Sequence, residues 1–267
     1  MSSQITSTGY IPRDSVQLFY EREGNNQEGR TILFVHGLGG TTNAYQPLVS
    51  ELQDFDIVRF DWSGHGRSTV PPSETSIELY VADCEAIIDH LGLADIVVYS
   101  GKWIITFKGV MLMYIQGVVV FGPVKPPPEA GRTALATRAA TVRQRGMVAV
   151  TDTILSNAFS SKSLTSRKAE VSLAREMLTR QAPEGYAMAV DALARSIAPA
   201  WSHIKARVFI LSGEEDKVST VVAGSEIMRE IGSNAQQRVW EDVGHWHMLE
   251  NPDGCIESIR SVAGLKL

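Results

Sequence analysis

The chain is poor in the features that mark several whole classes of protein. Two cysteines, Cys84 and Cys255, stand among 267 residues. They fit neither a disulfide framework nor a metal knot, and so few cysteines suit a reducing compartment. No block of Lys and Arg occurs, and 25 basic against 30 acidic residues leave a formal net charge of -5. Phosphate binding needs clustered cations, so nucleic acid is not an expected partner. The polar start, MSSQITSTGYIPRDS, carries no apolar stretch of the kind a secretory signal needs. One apolar run, residues 104–121, approaches the length of a membrane span. Lys108 and Gln116 interrupt it, and Gly122 and Pro123 end it. A buried parallel strand accounts for it without a membrane.

What is present is the alternation of an α/β protein. Hydrophobic residues make up 44% of the chain, enough for a sizeable core, and the length suits one α/β domain with an insertion. Residues 31–35 and 56–60 are apolar runs of the kind a strand covered on both faces carries. Between them residues 41–53 read as a helix, with Leu48, Val49 and Leu52 on one side. That is a β-α-β unit, which implies parallel strands and a right-handed crossover. Residues 76–91 place Ile77, Val81, Cys84, Ile87, Ile88 and Leu91 at helical spacing. Further strands are expected at 95–99, 117–121, 208–211 and 237–240, and further helices at 221–231 and 254–262. After Lys125 and three prolines, residues 129–202 hold no strand-like run. They read as helices at 132–145, 147–156, 166–179 and 184–197. The prediction is a doubly wound, mostly parallel sheet with an inserted helical cap: core residues 1–125 and 203–267, cap residues 126–202.

Four segments carry chemistry. FVHGLGG (34–40) follows a strand, and its glycines let the backbone turn sharply and present N–H groups. RFDWSGHGRS (59–68) follows the next strand. ILSGEEDKV (210–218) puts acids at the carboxyl end of a strand, the edge where open α/β sheets bind ligands. DVGHWHMLENP (242–252) offers His245 and His247. A zinc site from these two would need a Cys or a third His at suitable spacing, and none is there. No metal or organic cofactor is implied.

In this order the four segments resemble the α/β hydrolase superfamily, over nearly the whole chain. The resemblance implies an oxyanion hole using the N–H of Leu38, with His36, Gly37 and Trp246 against the substrate. It makes 59–68 the D-x-x-G-H-G-x-S loop, largely architectural, with His65 a structural histidine. Asp216 becomes the acid of G-x-x-D that orients the base, His245, and His247 becomes a pocket or surface residue. The acid precedes the histidine, as in the family's order Ser, Asp, His. Residues 138–147 and 175–186 are similar to the cap of 3-oxoadipate enol-lactonase-like hydrolases, a group to which hydrolases of fungal secondary-metabolite and toxin clusters are similar. The implied activity is serine-type hydrolysis of a small ester or lactone by an intracellular protein. Leu265, Lys266 and Leu267 form a degenerate version of the Ser-Lys-Leu peroxisomal signal, so the expected location is cytoplasmic or peroxisomal.

The chain departs from the family at the nucleophile. G-x-S-x-G occurs nowhere. The strand at 95–99 runs instead into YSGKWIITF (99–107), and Ser100 is the only serine near the right strand end. The small residues that the elbow turn needs on either side are replaced by Val98 and Lys102. Ser100 is the candidate nucleophile by position alone. A lyase or dehalogenase would need another nucleophile at the same place, and none is present. The alternative is a catalytically inactive relative, either a binding module or the product of a damaged or mis-spliced gene. Gly-Lys-Trp at 101–103 can be encoded GGT-AAG-TGG, which contains an intron-donor sequence, so residues 101–116 are a candidate for translated intron.

Overall fold

The computed structural model describes residues 5–26, 29–101 and 115–264. Residues 102–114, most of the candidate intron, lie outside them, as do Leu265, Lys266 and Leu267. Eight strands form one sheet: β1 (Ile5–Arg13), β2 (Val16–Glu23), β3 (Thr31–Val35), β4 (Asp56–Phe60), β5 (Ile96–Gly101), β6 (Ile115–Phe121), β7 (Arg207–Gly213) and β8 (Ala235–Trp240). Their order is β1-β2-β4-β3-β5-β6-β7-β8. β2 pairs antiparallel with both β1 and β4, and every later pairing is parallel. The register aligns the carboxyl ends. Val35 lies opposite Phe60 and Ser100, Phe121 opposite Gly101 and Leu211, and Gly213 opposite Trp240.

The continuous apolar runs become strands because both faces are covered. On one face Phe34, Val97, Tyr99 and Phe121 pack with residues of α1 (Gln46–Val49) and α10 (Pro252–Ala263). On the other, Leu33, Val35, Val98 and Val120 pack with α2 (Ile77–Leu91) and α8 (Val221–Ile231). Residues 115–121 of the long apolar run are the buried strand β6. No helix among the described residues is long and apolar enough to cross a membrane.

Two helices differ from expectation for local reasons. The helix expected at 41–53 is only one α turn, α1, between 3₁₀ turns at Thr42–Tyr45 and Ser50–Leu52. Pro47 has no N–H for the carbonyl of Asn43, which accepts from Gln46 in a 3₁₀ bond instead. The helix expected at 166–179 is α6 (Lys168–Thr179), and a short helix that was not expected, α5 (Ser161–Ser166), stands before it, the two divided at Arg167, whose φ of -107° and ψ of 57° are not helical.

With α3 (Glu129–Arg145), α4 (Val148–Ala158) and α7 (Pro183–Ala194), these helices fill the chain between β6 and β7. They bear on the loops at the carboxyl ends of β3 and β4. Gly185 of α7 meets Gly64 so closely that a Cβ there would fall 2.1 Å from the Gly64 carbonyl oxygen. Gln181 donates to the carbonyls of Gly39 (3.2 Å) and Gly40 (3.0 Å) and accepts from the Gly66 N–H (3.1 Å). A short helix, α9 (His247–Glu250), precedes α10.

The β1–β2 hairpin was not legible in the sequence, and a buried charge cluster holds it. The Arg59 guanidinium on β4 is fully buried. It pairs with Glu21 (3.0 Å) and Glu23 of β2 and donates to the Thr42 carbonyl (3.0 Å) and Gln46 Oε1 (2.9 Å). Arg59→Ala leaves the buried Glu23 carboxylate without its cation and Glu21 with Arg67 alone (3.0 Å). It should cost roughly 3–5 kcal/mol in urea unfolding. A loss below about 1 kcal/mol, the worth of an exposed pair, would show that the cluster is hydrated.

Candidate active site

Asp216 follows β7 in a turn that it closes itself. Its Oδ1 accepts the N–H groups of Val218 (2.8 Å) and Ser219 (2.7 Å). Its Oδ2 takes His245 Nδ1 at 2.7 Å. The Asp216 side chain is wholly buried, and that of His245 is 11% exposed. Burial pushes the Asp216 pKa up, but the charge and hydrogen bond of His245, the nearby His247 and the turn N–H outweigh it, and the net value falls to about 2. The carboxylate is therefore ionised at neutral pH, and it fixes the proton of neutral His245 on Nδ1.

Three features position this pair. Gly122, just past β6, has φ +54°, and a Cβ there would lie 2.7 Å from the His245 ring and 3.0 Å from Asp216 Oδ2. Only glycine fits both the conformation and the gap. The buried Glu250 carboxylate accepts the N–H groups of Gly244 (3.0 Å), Trp246 (3.0 Å) and Ser160 (2.9 Å). The His245 N–H donates to the Ala158 carbonyl at the end of α4. The sequence reading gave Glu250 no role. Its only signal was its place at the end of the histidine segment 242–252.

Several expected neighbours sit differently. His247 is neither a pocket nor a surface residue. It is fully buried between the rings of Phe121 and Trp240, with Nδ1 at 3.0 Å from the His245 carbonyl. Trp246, expected against the substrate, is buried and stacked parallel to Phe159. His36, also expected there, is fully buried. Its Nδ1 bonds the Gly37 carbonyl (2.8 Å), and its Nε2 accepts the Trp62 N–H (3.1 Å). It ties the loop after β3 to the loop after β4, and the Trp62 indole returns a bond to the His36 carbonyl (2.7 Å). Asp61 completes the tie by accepting from the N–H groups of Thr42 (2.7 Å) and Arg67 (2.9 Å). Gly37 and Leu38 remain partly exposed. Among the described residues nothing bonds the Leu38 N–H.

Ser100 is buried inside β5, opposite Val35 and Val120, and its Oγ donates to the Gly101 carbonyl (3.1 Å). It takes no strained turn. Positive φ among the described non-glycine residues occurs only at Asp14, Asp95 and Asp242. Among the described residues no group of three or more His, Cys, Asp or Glu could hold a metal ion.

A family model described as "Alpha/beta hydrolase family" matches residues 32–258. The chain belongs to that family. It is similar to the 3-oxoadipate enol-lactonase 2 of Acinetobacter baylyi, 23% identical over 246 residues that cover 86% of this chain and 87% of the relative. Its fold is that of a thermophilic esterase from Thermogutta terrifontis, with TM-score 0.88, 21% identity, and 96% and 97% of the two chains covered. The enol-lactonase from Burkholderia xenovorans LB400 is equally similar, with TM-score 0.88, 21% identity, and 96% and 100% covered.

The buried imidazoles of this hydrolase-family chain make it acid-sensitive. Burial holds His65 and His247 down at about 4, and burial together with the neighbouring His65 holds His36 at about 3. The unfolded value is about 6.5. The unfolded chain therefore binds more protons between those limits, so this stability is present above pH 6.5 and lost as the pH falls toward 4. Asp61, pushed up by burial to about 6, and Asp83, also raised by burial, work the other way. Three histidines against two carboxylates leave a net slope of roughly 1–2 kcal/mol lost per pH unit. Urea unfolding at successive pH values measures it. Stability that is flat or rising on acidification would mean that the imidazoles are charged or wet.

Proposed function

We propose that this chain is built to hydrolyse a small ester or lactone beneath a helical cap of residues 126–202. The observation that carries the reading is the Asp216–His245 contact of 2.7 Å at the carboxyl edge of the sheet. With Nδ1–H given to Asp216, the basic lone pair of His245 lies on Nε2, the atom a general base uses. A serine hydroxyl attacking the carbonyl would lose its proton there, and the oxyanion would take the Leu38 N–H. The enol-lactonase and esterase relatives support the bond type, and a metabolite-sized acid derivative suits a role in fungal secondary metabolism.

A second reading is favoured by Ser100. Its burial within β5 leaves no elbow among the described residues, as an inactive family member would have. One assay separates the two. Purified chain, His245→Ala and Ser100→Ala are compared on p-nitrophenyl acetate and on a small lactone. Hydrolysis that falls roughly 10³-fold or more in His245→Ala supports the enzyme. Background rates in all three establish the inactive relative. Sequencing the transcript across codons 95–125 then tells whether a G-x-S-x-G elbow was lost from the coding sequence.

A further inference from the structure

One side chain of the inserted helices reaches the loop after β3. Gln181 stands at the corner between α6 and α7 and is buried. Both ends of its amide are used. Nε2 faces the carbonyls of Gly39 (3.2 Å), Gly40 (3.0 Å) and Met177 (3.2 Å), and Oε1 accepts the Gly66 N–H (3.1 Å). Three carbonyls at one end and an N–H at the other fix which end is which. The helices on either side of the corner press on the same turn. Gly39 has φ +78°, and a Cβ there would fall 2.6 Å from Leu178 of α6 and 3.1 Å from Tyr186 of α7.

These contacts bear on the peptide plane that carries the Leu38 N–H. The Gly37 carbonyl accepts the Gly40 N–H (3.0 Å) and faces His36 Nδ1 (2.8 Å). His36 Nε2 accepts from the Trp62 N–H (3.1 Å), so the proton of the neutral ring sits on Nδ1 and is given to Gly37. The described residues contain no cis peptide bond, so the Leu38 N–H points opposite to the Gly37 carbonyl. Fixing the carbonyl therefore aims the N–H. His36 is one hold on it, at the end of β3. Gly40 is the other, and the Gly40 carbonyl is itself held by Gln181.

We propose that Gln181 is a positioning residue, which sets the direction of the Leu38 N–H while the α6–α7 corner is seated on the turn 37–40. The use of that N–H, stabilising an oxyanion, rests on the ester-hydrolysis reading. A donor aimed in advance at the developing charge lowers the barrier, and deleting one costs about 10²–10³ in kcat. Loss of Gln181 leaves the His36 hold in place, so the expected cost is smaller, about tenfold. It falls on kcat more than on KM, because the N–H acts on the transition state.

Two readouts separate the contact from the chemistry. The full chain is labelled with ¹⁵N at leucine, and the Leu38 resonance is identified by its loss in Leu38→Met. Backbone order parameters are then compared between the native chain and Gln181→Leu or, should that variant not fold, Gln181→Met. The Leu38 value should fall from about 0.85 toward about 0.6, while Leu33 and Leu48 keep theirs. On p-nitrophenyl acetate kcat should fall about tenfold, with KM within about twofold of native. Arg143→Ala removes the pairs of α3 with Glu184 (2.9 Å) and Asp191 (2.9 Å) of α7, away from the turn, and should move neither readout. A folded Gln181 variant whose Leu38 stays as ordered as in the native chain overturns the proposal. So does equal loosening in Arg143→Ala, or an unchanged kcat once Leu38 has loosened. A native chain that leaves the ester at its background rate sinks the hydrolysis reading instead, and the Leu38 order parameter then decides the positioning by itself.

Discussion

The carboxylate of Glu250 is the point on which the site depends. It gathers three backbone N–H groups, two from the loop that carries His245 and one from Ser160, where α4 gives way to α5. Each donor is buried, and each would be orphaned without it, at roughly 1–3 kcal/mol apiece. The same contact joins the sheet's last loop to the helices inserted after β6. His247 packs beneath as a neutral ring, wedged by Phe121 and Trp240. Gly122 leaves the space into which the His245 ring and Asp216 settle.

A second knot fixes the opposite wall. His36, Trp62 and Asp61 bind the two loops at the ends of β3 and β4 to each other, and Gln181 binds both to the inserted helices. The loops are therefore tied down by hydrogen bonds without regular structure. Burial of His36 has the same consequence. A histidine beside a glycine turn looked like a ligand contact, yet both its nitrogens are used to hold the turn.

The strands at 31–35 and 56–60 and the helix at 221–231 were legible to the residue, because a buried parallel strand and an amphipathic helix write their environment directly into apolar periodicity. β5 and β7 run further than expected, through Ser100, Gly101, Ser212 and Gly213, since a small residue can continue a backbone ladder without an apolar side chain to announce it. The β1–β2 hairpin stayed hidden for the opposite reason. Glu21 and Glu23 break any apolar run there, and their burial depends on Arg59 and, for Glu21, Arg67, cations remote in sequence that a local pattern does not announce. The pairing of Asp216 with His245 was readable because each sits in a short motif. The contacts of Glu250, His247 and Trp246 were not, because they are made across the fold.

The nucleophile belongs to a different physical category from the pair it would serve. The Asp216 turn, the Gly122 gap and the Glu250 clamp are each woven into packing, and losing any one would unsettle the core. An elbow is a short turn after a strand, with small residues demanded only by the turn itself. Here β5 and β6 stay paired through Ser100 opposite Val120 and Gly101 opposite Phe121, whatever follows. The sheet keeps its register here with no elbow among the described residues. Among the described residues the Asp216–His245 contact is held by the Asp216 turn, the Gly122 gap and the Glu250 carboxylate, and none of these contacts runs through Ser100.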